Sequence, residues 1–459
     1  MKRDCETSLD EWLRRDTRKP LIIRGARQVG KSTAVRQFAA SQGIALYEIN
    51  LEKHTGLDPI FARFDVPQIL KELELAIGME IKPGAKGILF LDEIQATPHA
   101  IAALRYFYED RRDLAVIAAG SLLEFAMARQ TFSMPVGRVE YLYMGPMGFQ
   151  EYLSALGESQ LVNEIERFTP SEAFLTGAHE RLLMRLRDFM LVGGMPEAVA
   201  SYVAGGSLLR APAVHQGILD TYRDDFGKYA SGEDLARLRR VMEYAAAAVG
   251  DKVKYVNINP QWRAAEVRHA IDLLARANII CPVHHSDASG IPLGATADDT
   301  VFRLLFLDVG LMNAAYGVTA LSLETFKEKR FVNEGRMAEQ FVGQHLLHAG
   351  PAYQRPTLFY WLREGKKGNA EVDFLLQCAG RIVPVEVKAG AGGSLKSLHQ
   401  FVAAKDSPVA LRFDLNPPSV QTVEHAVVTP DGRTAALKYR LCSLPLYMVE
   451  QASRIVAQM

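Results

Sequence analysis

Leu21–Arg24 is a short apolar run that leads without a gap into Gly25-Ala26-Arg27-Gln28-Val29-Gly30-Lys31-Ser32, and from Thr33 to Ala40 apolar residues recur at helical spacing. A buried strand, a glycine-framed loop and a helix in that order leave few architectures open. The spacing fits the phosphate-binding pattern G-x-x-x-x-G-K-[ST]. Gly25 and Gly30 let the backbone turn so that successive N–H groups, together with the helix dipole, face an anion. Lys31 then neutralises the outer phosphates of a nucleoside triphosphate, and the Ser32 hydroxyl ligates Mg²⁺. Residues Gly25 to Thr33 are therefore the expected nucleotide cradle.

A second run, Gly87–Leu91, is apolar throughout and ends in Asp92-Glu93. A central parallel strand is buried on both faces and presents acids at its carboxyl edge in this way. Asp92 is expected to hold the Mg²⁺ shell, and Glu93 to orient or deprotonate the attacking water. A third strand, Leu114–Ala119, runs into Gly120-Ser121, which places Ser121 to read the γ phosphate or the water. A short helix near Leu122–Arg129 and a strand from Val139 to Tyr143 complete the expected sheet, with Arg138 just before that last strand.

The chain has 459 residues, with 53 basic and 53 acidic side chains in balance. Any surface for nucleic acid must then be a local patch, because no overall excess of positive charge attracts phosphates. Cys5, Cys281, Cys378 and Cys442 are scattered, without C-x-x-C spacing. This argues against a zinc site or a disulfide framework and, with no secretory leader, for a reducing compartment. No apolar run has the length needed to cross a bilayer. The expectation is a cytoplasmic α/β protein of several domains.

The texture changes along the chain. Residues 1–145 alternate strands and helices, as a parallel sheet requires. Residues 146–230 read as helical, broken at Gly193-Gly194-Met195-Pro196, where backbone at Gly194 and the rigid Pro196 either lie against a base or simply break a helix. Over residues 231–320, helices at Leu235–Val249 and Ala264–Ala277 precede strands at Ile279–His285 and Val301–Asp308, the order of a winged helix. Lys252, Lys254, Arg263, Arg268 and Arg276 are either phosphate contacts or a solvated face of a protein-binding module.

Residues 321–459 carry a second constellation. Glu371–Leu376 alternates polar and apolar residues, Ala379-Gly380 supplies a turn, and Ile382–Lys388 returns. Period two puts Glu386 and Lys388 on one face, with Asp373 across from them. Two carboxylates beside a lysine suit a Mg²⁺-dependent phosphodiesterase: the acids fix the metal and the amine steers hydroxide. Glu339 adds a third acid from an upstream helix, and Gln400 can orient the lysine or a phosphate. The alternatives are a hairpin with a solvated charged face, or a fold that binds DNA without cutting.

Asp373, a gap and then Glu386-x-Lys388 resemble the signature of the restriction-endonuclease-like superfamily. The whole order of glycine loop, Asp-Glu strand, Gly-Gly-x-Pro turn, winged helix and Glu-x-Lys tail resembles prokaryotic AAA+ ATPases of the archaeal-type clade, related to the STAND NTPases. Ser32 stands where such loops commonly have Thr, and it still offers a hydroxyl. The resemblance implies a P-loop AAA+ parallel-sheet core, a helical lid at Gly194 and Pro196, a winged-helix middle domain and an α/β restriction-endonuclease-like C-terminal domain. It implies ATP and Mg²⁺ as cofactors and a homo-oligomer, such as a hexameric ring, with Arg138 reaching a neighbour's nucleotide. Arg138 is otherwise a surface arginine or an intrasubunit phosphate contact, with Arg129 the nearest substitute. The function expected first is an ATP-driven machine acting on duplex or branched DNA. Its rivals are a STAND-like regulatory switch working through protein contacts, and a nuclease with an accessory ATPase.

Overall fold

The computed structural model describes residues 1–82, 87–125, 137–317, 334–365, 369–390, 394–428 and 434–459. The chain forms two compact units. One comprises residues 1–146 with the short segments 276–278 and 351–355; the other comprises 147–275, 279–350 and 356–459.

The first unit is built on five parallel strands: β1 (Leu21–Arg24), β2 (Ala45–Asn50), β3 (Gly87–Asp92), β4 (Ala115–Ala119) and β5 (Glu140–Tyr143), in the spatial order β2-β3-β4-β1-β5. Every residue of β3 and β4 is buried, which is why both strands read as unbroken apolar runs. Helical crossovers displace sequential strands, so β1 comes to lie between β4 and β5, and β4 beside β3. The carboxyl ends of β1, β3 and β4 therefore share one edge, and these are the ends that carry Gly25, Asp92-Glu93 and Gly120-Ser121. Below that edge Ile22, Leu89, Leu91, Val116 and Ala118 pack with Ile101, Leu104 and Phe107 of the helix Pro98–Asp110.

The second unit begins with helices Phe149–Ala155, Ser159–Arg167, Thr176–Val192, Pro196–Gly205 and Ala211–Asp225, followed by Glu233–Ala247 and Ala264–Arg276. Eight strands follow in one mixed sheet. They are β6 (Ile280–Ser286), β7 (Ala297–Phe306), β8 (Phe359–Arg363), β9 (Ala370–Cys378), β10 (Arg381–Val387), β11 (Val409–Asp414), β12 (Ser419–Val428) and β13 (Thr434–Pro445), in the order β12-β13-β11-β10-β9-β8-β6-β7.

The β6–β7 hairpin expected as a two-stranded wing also pairs through β6 with β8, in parallel, His284 lying against Phe359. The middle and carboxyl-terminal regions thus share one hydrogen-bonded sheet across the sequence boundary drawn at residue 320. Within it, helix Glu334–His348, β8, β9, β10, helix Lys396–Lys405 and β11 follow in that order. β8–β9 and β9–β10 are antiparallel, and β10–β11 is parallel. The β9–β10 turn places Ala379 and Gly380 at positive φ, 50° and 71°, the conformation that suits a two-residue hairpin loop to the twist of its strands.

A buried histidine ties two helices of this unit together. His345, on Glu334–His348, accepts a hydrogen bond at Nε2 from the Phe149 backbone N–H (3.0 Å) and sits 2.6 Å through Nδ1 from the Phe341 carbonyl. Those bonds need the neutral ring, and burial holds its pKa down at about 4. Because the folded value lies below the unfolded one, this ring's stabilisation is complete above about pH 6.5 and is lost as pH falls toward 4, about 3 kcal/mol in all. Urea denaturation from pH 7 to 4 should show that loss, and His345→Gln should flatten the slope.

Candidate nucleotide site and a second acidic cluster

The glycine loop closes tightly on the sheet of the first unit. Gly25 has φ 150° and Gly30 φ 92°, and Gln28 also takes a positive φ of 66°. A Cβ on Gly25 would run into the Met144 carbonyl oxygen, while the Met144 N–H bonds the Arg24 carbonyl at 2.8 Å. Ala26 and Val29 are buried under the loop, Arg27 is half-buried, and Gln28 and Thr33 are exposed. Helix Lys31–Gln42 starts from Gly30 with no side-chain cap, so its first N–H groups point into the loop without a side-chain partner from the cap residue.

Lys31 is 7% exposed. Its Nζ donates to the Gly25 and Ala26 carbonyls at 2.9 and 2.7 Å. Burial pulls its pKa down to about 8, against the opposing pull of Glu93 and Asp92. A desolvated cation held only by neutral carbonyls fits a polyanion, which restores its charge balance. Ser32 Oγ lies 2.9 Å from both carboxylate oxygens of Asp92, and burial raises the Asp92 pKa while the Ser32 bond opposes the rise. A hydroxyl and a desolvated carboxylate in contact are a donor set that suits Mg²⁺. Glu93 follows at φ 49°, a left-handed conformation that L residues seldom adopt, and its Oε2 accepts a 2.6 Å bond from Gln95 Nε2. Ser121 is buried at the end of β4. Gly25→Ala should cost ATP affinity roughly tenfold or more, since φ and a backbone oxygen both exclude the methyl; fluorescent-nucleotide titration of the folded variant measures this.

Arg138 lies outside that cluster. Its Nε is 3.0 Å from Glu109 Oε1, and its side chain is 45% exposed. Arg129 lies outside the described residues. Gly194 and Pro196 belong to the second unit. The Gly194 N–H donates to Asp308 Oδ1 (2.6 Å) and its carbonyl accepts from Met147 N–H (2.7 Å), while Pro196 opens its helix at the position where a missing N–H costs nothing. Both polar groups of Gly194 are thus engaged within that unit. Asp308, fully buried, also accepts from the Gly310 and Leu311 N–H groups as the cap of Val309–Ala315. Sequence reasoning missed it, although an Asp between an apolar strand and an apolar helix is an N-cap signal.

In the second unit, Glu339, Asp373, Glu386 and Lys388 come together, with two residues that the sequence did not nominate. Asp373 Oδ2 accepts the Val387 N–H at 2.7 Å. Lys388 pairs with Glu386 Oε1, whereas Glu386 Oε2 is buried without a hydrogen bond. Arg303 of β7 enters from the side: it pairs with Glu371, lies 3.9 Å from Asp373 and 4.0 Å from Glu339, and stacks 4.5 Å over the Tyr360 ring. Burial, with Asp373 adding to it, raises Glu339 to about 8 and Glu386 to about 7; Asp373 is raised by burial as well.

Gln400 bonds Arg363 (3.0 Å) and the Val428 carbonyl (3.2 Å) rather than Lys388. Among the described residues, no three His, Cys, Asp or Glu stand in an arrangement that could hold a metal. The cation set among Glu339, Glu371 and Asp373 is a guanidinium. Removing it leaves buried charge uncompensated, so Arg303→Ala should lower stability by on the order of 3 kcal/mol, read by urea denaturation.

Of the basic residues expected near the winged helix, Lys252 pairs with Glu364 at 2.9 Å, while Lys254, Arg263, Arg268 and Arg276 are exposed. Among the described residues no helix is long and apolar enough to cross a membrane.

Residues 17–153 match the AAA domain family. The amino-terminal domain is an AAA+ ATPase domain, with ATP and Mg²⁺ as its cofactors. Residues 183–322 and 334–440 match two further families, each described as a domain of unknown function (DUF8612 and DUF4143). No curated protein matches the sequence. Similar solved structures include the Walker-type ATPase of Pyrococcus abyssi, 15% identical over 68% of this chain and 94% of that one, with a TM-score of 0.43. The ADPNP–ADP complex of the Aeropyrum pernix ORC2 protein is 12% identical over 66% and 88%, with a TM-score of 0.32. Cdc6p from Pyrobaculum aerophilum is 9% identical over 71% and 93%, with a TM-score of 0.23.

Proposed function

We propose that the chain is an ATP-hydrolysing, oligomeric AAA+ protein that binds duplex or branched DNA and remodels it or moves along it. The observation that carries the hydrolytic part is the shared edge of β1, β3 and β4. There a buried Lys31, the Ser32–Asp92 contact and Glu93 supply a phosphate cation, a metal shell and a base. Lys31 and the N–H groups of Gly25 to Thr33 take the phosphates, Ser32 and Asp92 take Mg²⁺, and Ser121 lies at the end of the neighbouring strand. When bound, Mg²⁺ adds charge neutralisation of the β and γ phosphates.

The DNA part rests on two features of the second unit. The helix, three strands, helix and strand from Glu334 to Asp414 follow the order of restriction-endonuclease-like cores, with Asp373, Glu386 and Lys388 at one end of their hairpin. The exposed Lys254, Arg263 and Arg268 offer phosphate contacts beside a helix–hairpin pair. Arg303 among the acids favours recognition of DNA over cleavage, because a fixed guanidinium stands where cutting would require a metal. Gly194 and Pro196 form the lid in this reading, and Arg138 leaves Glu109 to reach a neighbouring subunit.

ATP turnover should rise on addition of linear, forked or four-way DNA, with binding that weakens as salt increases while the DNA stays intact in Mg²⁺. Lys31→Ala should abolish nucleotide binding, and Glu93→Gln should retain ATP while turnover falls by about a hundredfold or more. DNA that neither binds nor alters turnover defeats this reading. Tightly retained ADP with negligible turnover would instead favour a STAND-like switch, a reading that the even balance of charge supports. For Arg138→Ala, restored activity on mixing with Glu93→Gln subunits marks a site shared between chains.

A further inference from the structure

Gln95 lies two residues beyond Glu93, in the single 3-10 turn Ile94–Ala96 that follows β3. Its amide has two unlike ends. Nε2 donates to Glu93 Oε2 at 2.6 Å. Oε1 is shut away from solvent, with no hydrogen-bond partner in the protein. A buried carbonyl oxygen without a donor costs about 1–3 kcal/mol, so a sequence that keeps one beside a catalytic carboxylate leaves room for a donor from elsewhere. The location of that oxygen narrows the choice. A Cβ built on Gly120, at the end of β4, would collide with Gln95 Oε1, and its next neighbours are Gln95 Cδ at 3.1 Å and Ile94 Cγ2 at 3.7 Å. Gly120 does not take a positive φ, so what glycine provides there is space for the amide. The orphan oxygen therefore lies against Gly120, just past the end of β4, on the amide whose other end holds Glu93, just past the end of β3.

We infer that Gln95 is a positioning residue for hydrolysis: its Nε2 fixes the Glu93 carboxylate, and its Oε1 accepts a hydrogen bond from the attacking water. This rests on the ATPase reading above. In the step it serves, the water oxygen forms a bond to the terminal phosphorus. The bond from that phosphorus to the bridging oxygen breaks, its electron pair leaving with ADP, and one water proton passes to Glu93. The other O–H of the water points to Gln95. One amide then sets both the base and the nucleophile, and the left-handed backbone at Glu93 is the bend that lets Gln95 reach back to it.

Three full-length variants test this in ATP turnover and in nucleotide binding. Gln95→Met keeps length and packing but removes both polar ends. It should lower kcat roughly tenfold or more while leaving the ATP dissociation constant and the melting temperature close to those of the wild type. Gly120→Ala leaves Gln95 in the chain but pushes its amide aside, and should lower kcat in the same way. Gln95→Glu keeps the shape of the side chain but replaces the donor to Glu93 with an oxygen that repels it, and should lower kcat in the same way while the ATP dissociation constant holds, a split that a packing role does not produce. Unchanged or faster turnover in Gln95→Met and Gly120→Ala, beside a Lys31→Ala variant that has lost it, overturns the inference and spares the ATPase. Turnover equal in wild type and Lys31→Ala overturns both.

Discussion

Lys31 is the constraint around which the first unit is organised. A cation taken out of water and bonded only to two carbonyls of its own loop lacks a charge partner, and the acids that act on it, Asp92 and Glu93, lie at the end of β3, one strand further along the sheet. The geometry is stable because Gly25 lets the loop press against the Met144 carbonyl, a contact that any side chain would prevent. The strand order then places β4 beside β1 and β3 next to β4, so that the acids at the end of β3 meet the loop at one edge. An anion entering this loop finds a cation already desolvated and oriented, so little reorganisation remains to be done at the moment of binding.

Much of that arrangement is legible in the sequence because each part has a local cause. The glycines are required by backbone angles, the apolar runs by burial on both sheet faces, and the acids by the place where a strand emerges. The β9–β10 hairpin is legible for the same reason, since alternation and a two-residue turn fix its register and hence bring Asp373 toward Glu386. What the sequence hides is lateral. Nothing in Ile280–Ser286 announces that β6 will pair with β8, because a strand's alternation reports its faces and not its neighbour. Arg303 is hidden likewise: it lies on a strand assigned to one domain and pairs with acids assigned to another. Gly194 shows another lateral link: its N–H is bonded to Asp308, more than a hundred residues away in the sequence.

The two acidic clusters differ in physical character. At Asp92 the carboxylate is met by a hydroxyl and a backbone N–H, neutral donors that leave its charge to be balanced by whatever binds. In the second unit, Arg303 and Lys388 already supply positive charge to Glu371, Asp373, Glu339 and Glu386. The first cluster leaves its charge to be met from outside, and the second already holds its own counter-charge.

The pairing of β6 with β8 bears on how the chain is made. Until β8 emerges from the ribosome, the β6–β7 hairpin has an unsatisfied row of backbone groups along one side, a template for unwanted strand addition. The hairpin's own partner arrives only after a long intervening stretch has been synthesised. Truncation before the tail therefore removes more than the tail: it uncovers a sticky margin in the region upstream.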